Sequence, residues 1–146
     1  MKILLLAHVA STLFMTGVIW IVQVVHYPLF AKVGPAGFVA YEADHARLIT
    51  YVVFPAMTVE LLTGLALVWH RPAAVPAPLV WVGLGLIGVV WLSTAVLQVP
   101  LHGVLSGGFE VDAHRRLVAT NWIRTVAWTL RAGVVLAMLR LLLPPS

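Results

Sequence analysis

Six polar side chains lie within or at the ends of long apolar stretches, where polarity is expensive: Gln23, Glu60, Gln98, Asn121, Arg124 and Arg131. Four histidines, His26, His45, His102 and His114, gather at one end of the same stretches. An ionisable group at bilayer depth costs roughly 2.5–3.5 kcal/mol even on the mild insertion scale, so it normally faces a protein interior and marks a site or pathway. Imidazole can move a proton, and a guanidinium with carboxamides can hold a developing oxyanion. His102, His26, Arg124 and Glu60 are therefore the candidate catalytic residues. Gln23, Gln98, Asn121 and Arg131 are candidate binding residues. Trp91 and Trp128 are deep enough to line a pocket for a flat ring.

The elements that must position these groups are helices. The stretches Ile3–Val25, Leu48–Trp69, Leu79–Val99 and Leu117–Leu143 are each long enough to cross a bilayer, which takes about 20 apolar residues. The 146-residue chain is 62% hydrophobic and 10% charged, whereas a soluble domain is nearer a quarter charged. The expected fold is all-α, an integral membrane four-helix bundle forming one transmembrane domain over residues 1–146. Met1-Lys2 followed by Ile-Leu-Leu-Leu reads as the start of a span and not as a signal peptide, because the apolar run continues to Val25. Gly34-Pro35 looks like a helix start, so the second helix begins outside the hydrocarbon, and Pro55 should kink it.

An internal resemblance suggests two parallel-repeat helical hairpins. His45-Ala-Arg47-Leu48 opens the second stretch and His114-Arg-Arg116-Leu117 opens the fourth, while Gln23 and His26 end the first as Gln98 and His102 end the third. Pro28 and Pro100 lie nearby in each half. At 100° per residue, His8, Thr12, Thr16, Gln23 and His26 share one face of the first helix. Comparable polar faces follow on the other three, and four inward polar stripes imply a site in the bundle core. Thr12, Thr16, Thr63 and Thr94 are expected to do no more than bond neighbouring turns and helices. Glu60 and Arg131 lie within about 3 Å of the same depth, and Arg124 about 7 Å nearer the histidine-rich surface. Glu60 should pair with Arg131 or Arg124, since an unpaired buried charge costs far more. Paired, it is a structural anion; unpaired, it is a proton acceptor.

Other signals bound the chemistry. The absence of cysteine excludes disulfides and thiolate metal sites. His26, His45, His102 and His114 could hold haem or a transition metal through co-location, although no pair of them has a familiar ligand spacing. The bundle is expected to work either with no cofactor or with haem or a transition metal. A net charge of +4 without a basic cluster gives no reason to expect nucleic acid; the expected partners are the lipid bilayer and a small lipophilic ligand. Gly83, Gly85 and Gly88 offer a small-residue surface on which a homodimer could pack. Trp20, Trp69, Trp81 and Tyr27 suit interfacial belts. Lys2 beside the first helix leans towards cytoplasmic termini, in a bacterial inner membrane.

Two segments then resemble a known family. Gln98-Val-Pro100-Leu-His102 is similar to the N-x-P-L-N segment of the anthrone-oxygenase-like family of small four-helix membrane proteins, mostly uncharacterised in bacteria. Asn121-Trp-Ile-Arg124-Thr125 resembles that family's W-N-x-x-R-T segment, and Tyr27-Pro-Leu29 its M-P-x-L. The family's characterised fungal members oxidise anthrones with dioxygen. The resemblance implies roles for Gln98, His102, Asn121 and Arg124, but Gln98 and His102 replace family asparagines, so the chemistry need not be shared. Three functions follow as expectations: an oxidoreductase or oxygenase acting on a lipophilic aromatic or phenolic compound, a haem- or metal-binding membrane protein, or a non-enzymatic transporter or accessory subunit.

Overall fold

A computed structural model describes residues 2–143 and contains four long helices: α1 Lys2–Lys32, α2 Pro35–His70, α3 Ala77–Leu105 and α4 Val111–Arg140. All four are long and apolar enough to cross a membrane, and the chain is an integral membrane protein. Each helix packs on its sequence neighbours and α4 returns to α1, so the helices form a ring in the order 1-2-3-4. The helices outrun the apolar stretches. α1 continues past Val25 to Lys32, and α3 past Val99 to Leu105, because their last turns keep helical geometry after leaving the hydrocarbon. At the other end Leu141–Leu143 form a turn, so α4 stops short of the expected boundary.

The connections have local causes. Gly34 takes a φ of 82°, a conformation in which a Cβ is strained, and Pro35 begins α2 at the position where a missing N–H costs nothing. Pro55 lies inside α2, which runs through it uninterrupted. Glu110 caps α4, its carboxylate accepting the backbone N–H of Asp112 at 3.0 Å and that of Ala113.

The first helix of each hairpin carries a π turn, Val22–His26 in α1 and Thr94–Gln98 in α3. In each, the backbone N–H closing the wide turn belongs to the residue just before a proline: Tyr27 donates to the Val22 carbonyl, and Val99 to that of Thr94. Pro28 and Pro100 have no N–H, and their rings crowd the carbonyl four residues back. A wider turn relieves that crowding. This common device strengthens the reading of two similar hairpins but changes its register. Aligned on the prolines, His26 corresponds to Gln98 and Tyr27 to Val99, which replaces the match of Gln23 to Gln98.

The core has two apolar layers. One, around Met15, Phe30, Phe38, Leu105, Leu117 and Trp128, fills the histidine-rich half. The other, around Leu5, Leu67, Val80, Val135 and Met138, fills the opposite half.

Candidate functional site

The buried polar side chains divide into two groups rather than enclosing one shared chamber. In the first, Arg131 Nε donates to Glu60 Oε1 at 2.7 Å, and both residues are at most 1% exposed. Thr12 Oγ1 donates to the same oxygen at 2.8 Å, and Trp128 Nε1 to Glu60 Oε2 at 3.0 Å. Arg131 also donates to the Gly83 carbonyl, to Thr12 Oγ1 at 3.0 Å and to His8 Nε2 at 3.2 Å. Because a guanidinium can only donate, His8 Nε2 carries no proton here, and Nδ1–H donates to Thr63 Oγ1 at 2.8 Å. Both carboxylate oxygens of Glu60 are engaged. The expectation that Glu60 pairs with Arg131 is met, and neither residue lines the cavity that the second group surrounds. Their assignment as catalytic and ligand-binding groups is replaced by a structural one: a satisfied ion pair joining α1, α2, α3 and α4. His8 is a buried member of it.

The second group surrounds a cavity of about 370 Å³. Arg124, 8% exposed, reaches into it from α4. Its Nε donates to Asn121 Oδ1 at 2.9 Å, and its Nη2 both to that oxygen and to the Tyr27 phenol oxygen at 3.2 Å. Its Nη1 donates to Thr94 Oγ1 at 3.3 Å. Among the described residues no carboxylate lies within ion-pair distance of Arg124, in contrast to Arg131. Asn121 is held behind it, donating to Gln23 Oε1 at 2.8 Å, while Gln23 donates to the Val118 carbonyl at 3.1 Å. Gln23 and Asn121 therefore orient Arg124 and do not line the cavity.

Donor logic fixes the direction of the next links. The Tyr27 oxygen accepts from Arg124, so its O–H is free to donate to His102 Nε2 at 2.9 Å. His102 Nδ1–H then donates to Glu42 Oε1 at 2.5 Å. Glu42 is fully buried, and its second oxygen has no partner. A carboxylate, an imidazole and a hydroxyl thus stand in series, an arrangement that activates hydroxyls on unrelated folds.

The four histidines do not share one centre. His26 Nε2 and His45 Nδ1 share a hydrogen bond of 2.7 Å, and His114 Nε2 donates to the Tyr27 carbonyl at 2.8 Å. With His102 on Glu42, each ring has at least one nitrogen on its own partner, while the buried His45 Nε2 has none, and among the described residues no three His, Asp or Glu side chains converge as a metal would require. The metal set His26, His45, His102 and His114 is thus corrected to a hydrogen-bonded cluster. His45 and His102 line the cavity; behind that lining His26 bonds to His45 and His114 to the Tyr27 backbone.

Gln98 lines the cavity with its amide occupied: Ser93 donates to its oxygen at 3.0 Å, and its nitrogen donates to Thr120 Oγ1 at 3.2 Å. Trp128 lines it with its ring face and anchors its N–H on Glu60, so it belongs to both groups. Trp91 does not line it. Its ring meets Phe54 edge to face at 6.4 Å, and its buried N–H has no partner.

Tyr27 and Glu42 belong to this group although the sequence reading did not place them in the site. Tyr27 looked like an interfacial tyrosine, yet it is 4% exposed. Glu42 precedes the second apolar stretch, where a charge needs no explanation. The one available signal was its spacing of three from His45, which puts both on one helical face.

No protein-family model, curated protein or solved structure matches the chain.

Proposed function

We propose that the cavity binds a small lipophilic aromatic compound bearing a phenol or an enolisable ketone, and that the protein removes a proton from it to prepare its oxidation. The observation that carries this reading is Arg124: a buried guanidinium without a carboxylate partner, facing an apolar cavity beside the Glu42–His102–Tyr27 chain. A ligand oxyanion would complete its charge balance.

In the forward direction the Tyr27 proton passes to His102 Nε2. Glu42 stabilises the imidazolium through Nδ1–H, and Arg124 stabilises the Tyr27 phenolate. Tyr27 then takes the proton of the activated C–H, and the substrate's charge develops on the oxygen facing Arg124. Fixed donors in a dry site stabilise such charge strongly. Dioxygen, as the oxidant, accepts the electron pair of the carbanion and forms a peroxide anion at that carbon, which becomes the hydroperoxide by taking a proton from Tyr27 as His102 returns its own to the phenol. Loss of water from a CH–OOH group leaves a ketone, so that CH₂ and O₂ become C=O and H₂O. The resemblance to the anthrone-oxygenase-like segments around Gln98 and Arg124 supports this class of reaction, with Tyr27 and His102 in place of a base taken from the family pattern.

The test is oxygen uptake by purified protein in lipid nanodiscs with anthrone, read together with anthraquinone absorbance. Uptake lost in Arg124→Ala and in Tyr27→Phe is the expected result. No ligand-dependent spectral change with anthrone or any hydroxylated aromatic would overturn the reading.

A further inference from the structure

The cavity has a long axis with unlike ends. Tyr27, His45, His102, Thr94 and Arg124 gather at one end, and Met15, Val53, Met57 and Trp128 at the other. His45 and Met57 are 12 positions apart on α2, as are Met15 and Tyr27 on α1, so the lined length is about 18 Å at 1.5 Å per residue. A volume of about 370 Å³ drawn out over that length is elongated rather than round. The polar end lies towards the histidine-rich surface, beside the exposed Arg47–Asp44 pair, and the apolar end towards the middle of the bundle. That is also how an amphiphile lies in a leaflet, head at the interface and tail inward.

The way in is lateral. The exposed lining residues, Thr50, Val99, Gly103 and Ser106, belong to α2 and α3, and the wall formed by α1 and α4 is closed by buried Met15, Ile19, Tyr27, Arg124 and Trp128. A Cβ placed on Gly103 would meet nothing within 4 Å, so the slot is open at that point. Val99 and Val53 carry it down to the depth of the hydrocarbon.

Resting on the function proposed above, we infer that the substrate is a single-tailed amphiphile: an acidic aromatic or enolic ring seated at Arg124 and Tyr27, with an aliphatic chain running towards Met15 and Met57, taken from the bilayer between α2 and α3. The apolar lining at Met15, Val53 and Met57, reached along that length, suits an aliphatic tail.

The experiment compares phenol with para-octylphenol in nanodiscs, reading Trp128-dependent fluorescence and ligand-observed NMR at equal membrane concentrations. Wild type is expected to bind para-octylphenol more tightly than phenol. Met57→Trp, which fills the apolar end, is expected to weaken para-octylphenol about tenfold more than phenol. Gly103→Trp, whose Cβ would meet nothing within 4 Å, is expected to slow the association of para-octylphenol at least severalfold. Arg124→Ala should lose both ligands. Equal binding of the two phenols in wild type, or equal effects of Met57→Trp and Gly103→Trp on both, would overturn the tail while leaving the acidic-ring site standing. Failure of wild type to bind either phenol would overturn both readings.

Discussion

Arg124 on α4 reaches Glu42 on α2 through two side chains, the phenol of Tyr27 and the imidazole of His102, in links of 3.2, 2.9 and 2.5 Å. The two ends differ in state. Glu42 has its imidazole partner, whereas Arg124 is balanced by dipoles alone. The same bundle holds Arg131 against a carboxylate 2.7 Å away, so the absence of one at Arg124 is a local choice of this site.

Arg124→Lys should therefore separate charge from geometry. Lysine keeps the cation but cannot span Asn121, Thr94 and Tyr27 from one planar fork. The expected outcome is ligand binding weakened about tenfold or more with the fold retained, measured by titration with a hydroxylated aromatic. Binding equal to wild type would mean that charge alone suffices.

Tyr27→Phe removes one hydroxyl from the centre of the chain. Two buried partners, His102 Nε2 and an Arg124 N–H, lose a bond, at a cost of about 1–3 kcal/mol in stability. Turnover should fall by about 10²–10⁴, the usual contribution of a positioned acid or base. A variant with normal turnover and lowered thermal stability would assign Tyr27 to structure.

Glu60→Gln tests the other polar group. It leaves Arg131 buried against a neutral amide, and breaking such a pair typically costs about 3–5 kcal/mol. Glu60→Leu combined with Arg131→Met should recover much of that loss, because a buried pair exchanged for apolar groups is often near neutral. Thermal unfolding in detergent of both variants is the measurement. A double variant less stable than the single one would show that the pair itself stabilises the bundle.

Gly64→Ala probes the packing of that group. A Cβ there would lie 2.8 Å from Ile87 Cδ1 and 3.1 Å from His8 Cε1. Ile87 can swing its terminal methyl aside, but His8 is held by Thr63 and Arg131 at its two nitrogens. The expected destabilisation is about 1–3 kcal/mol, the range for overpacking, and Gly64→Val should exceed it. Gly133→Ala, at the matching place in the other hairpin, meets nothing within 4 Å and should be silent.

The sequence made the spans readable because about 20 apolar residues in a row have few other uses. It also made the Glu60–Arg131 pair readable, because two charges at equal depth must find each other. It could not show that Arg124 and Glu60 belong to different groups: depth and helical face are legible in one dimension, but the void between α2 and α3 depends on how far neighbouring helices stand apart. Tyr27 was misread for a related reason. Regular α-helical phasing puts a residue after the last apolar turn at the interface, and that phasing fails across Val22–His26.

Val24 and Val96 sit within those widened turns and point at lipid, 58% and 59% exposed. Excising either valine would hand the helix back its ordinary winding, and because a π turn takes up one surplus residue the parts on either side would keep their phase. What would change is the turn itself, where the ring of Pro28 or Pro100 would again crowd the carbonyl four residues back. Hydropathy would hardly register the loss. Two bland aliphatic positions thus act as slack that lets a proline sit in the wall beside the pocket, so that a deletion there would strain that wall where substitution by another aliphatic residue would pass unnoticed.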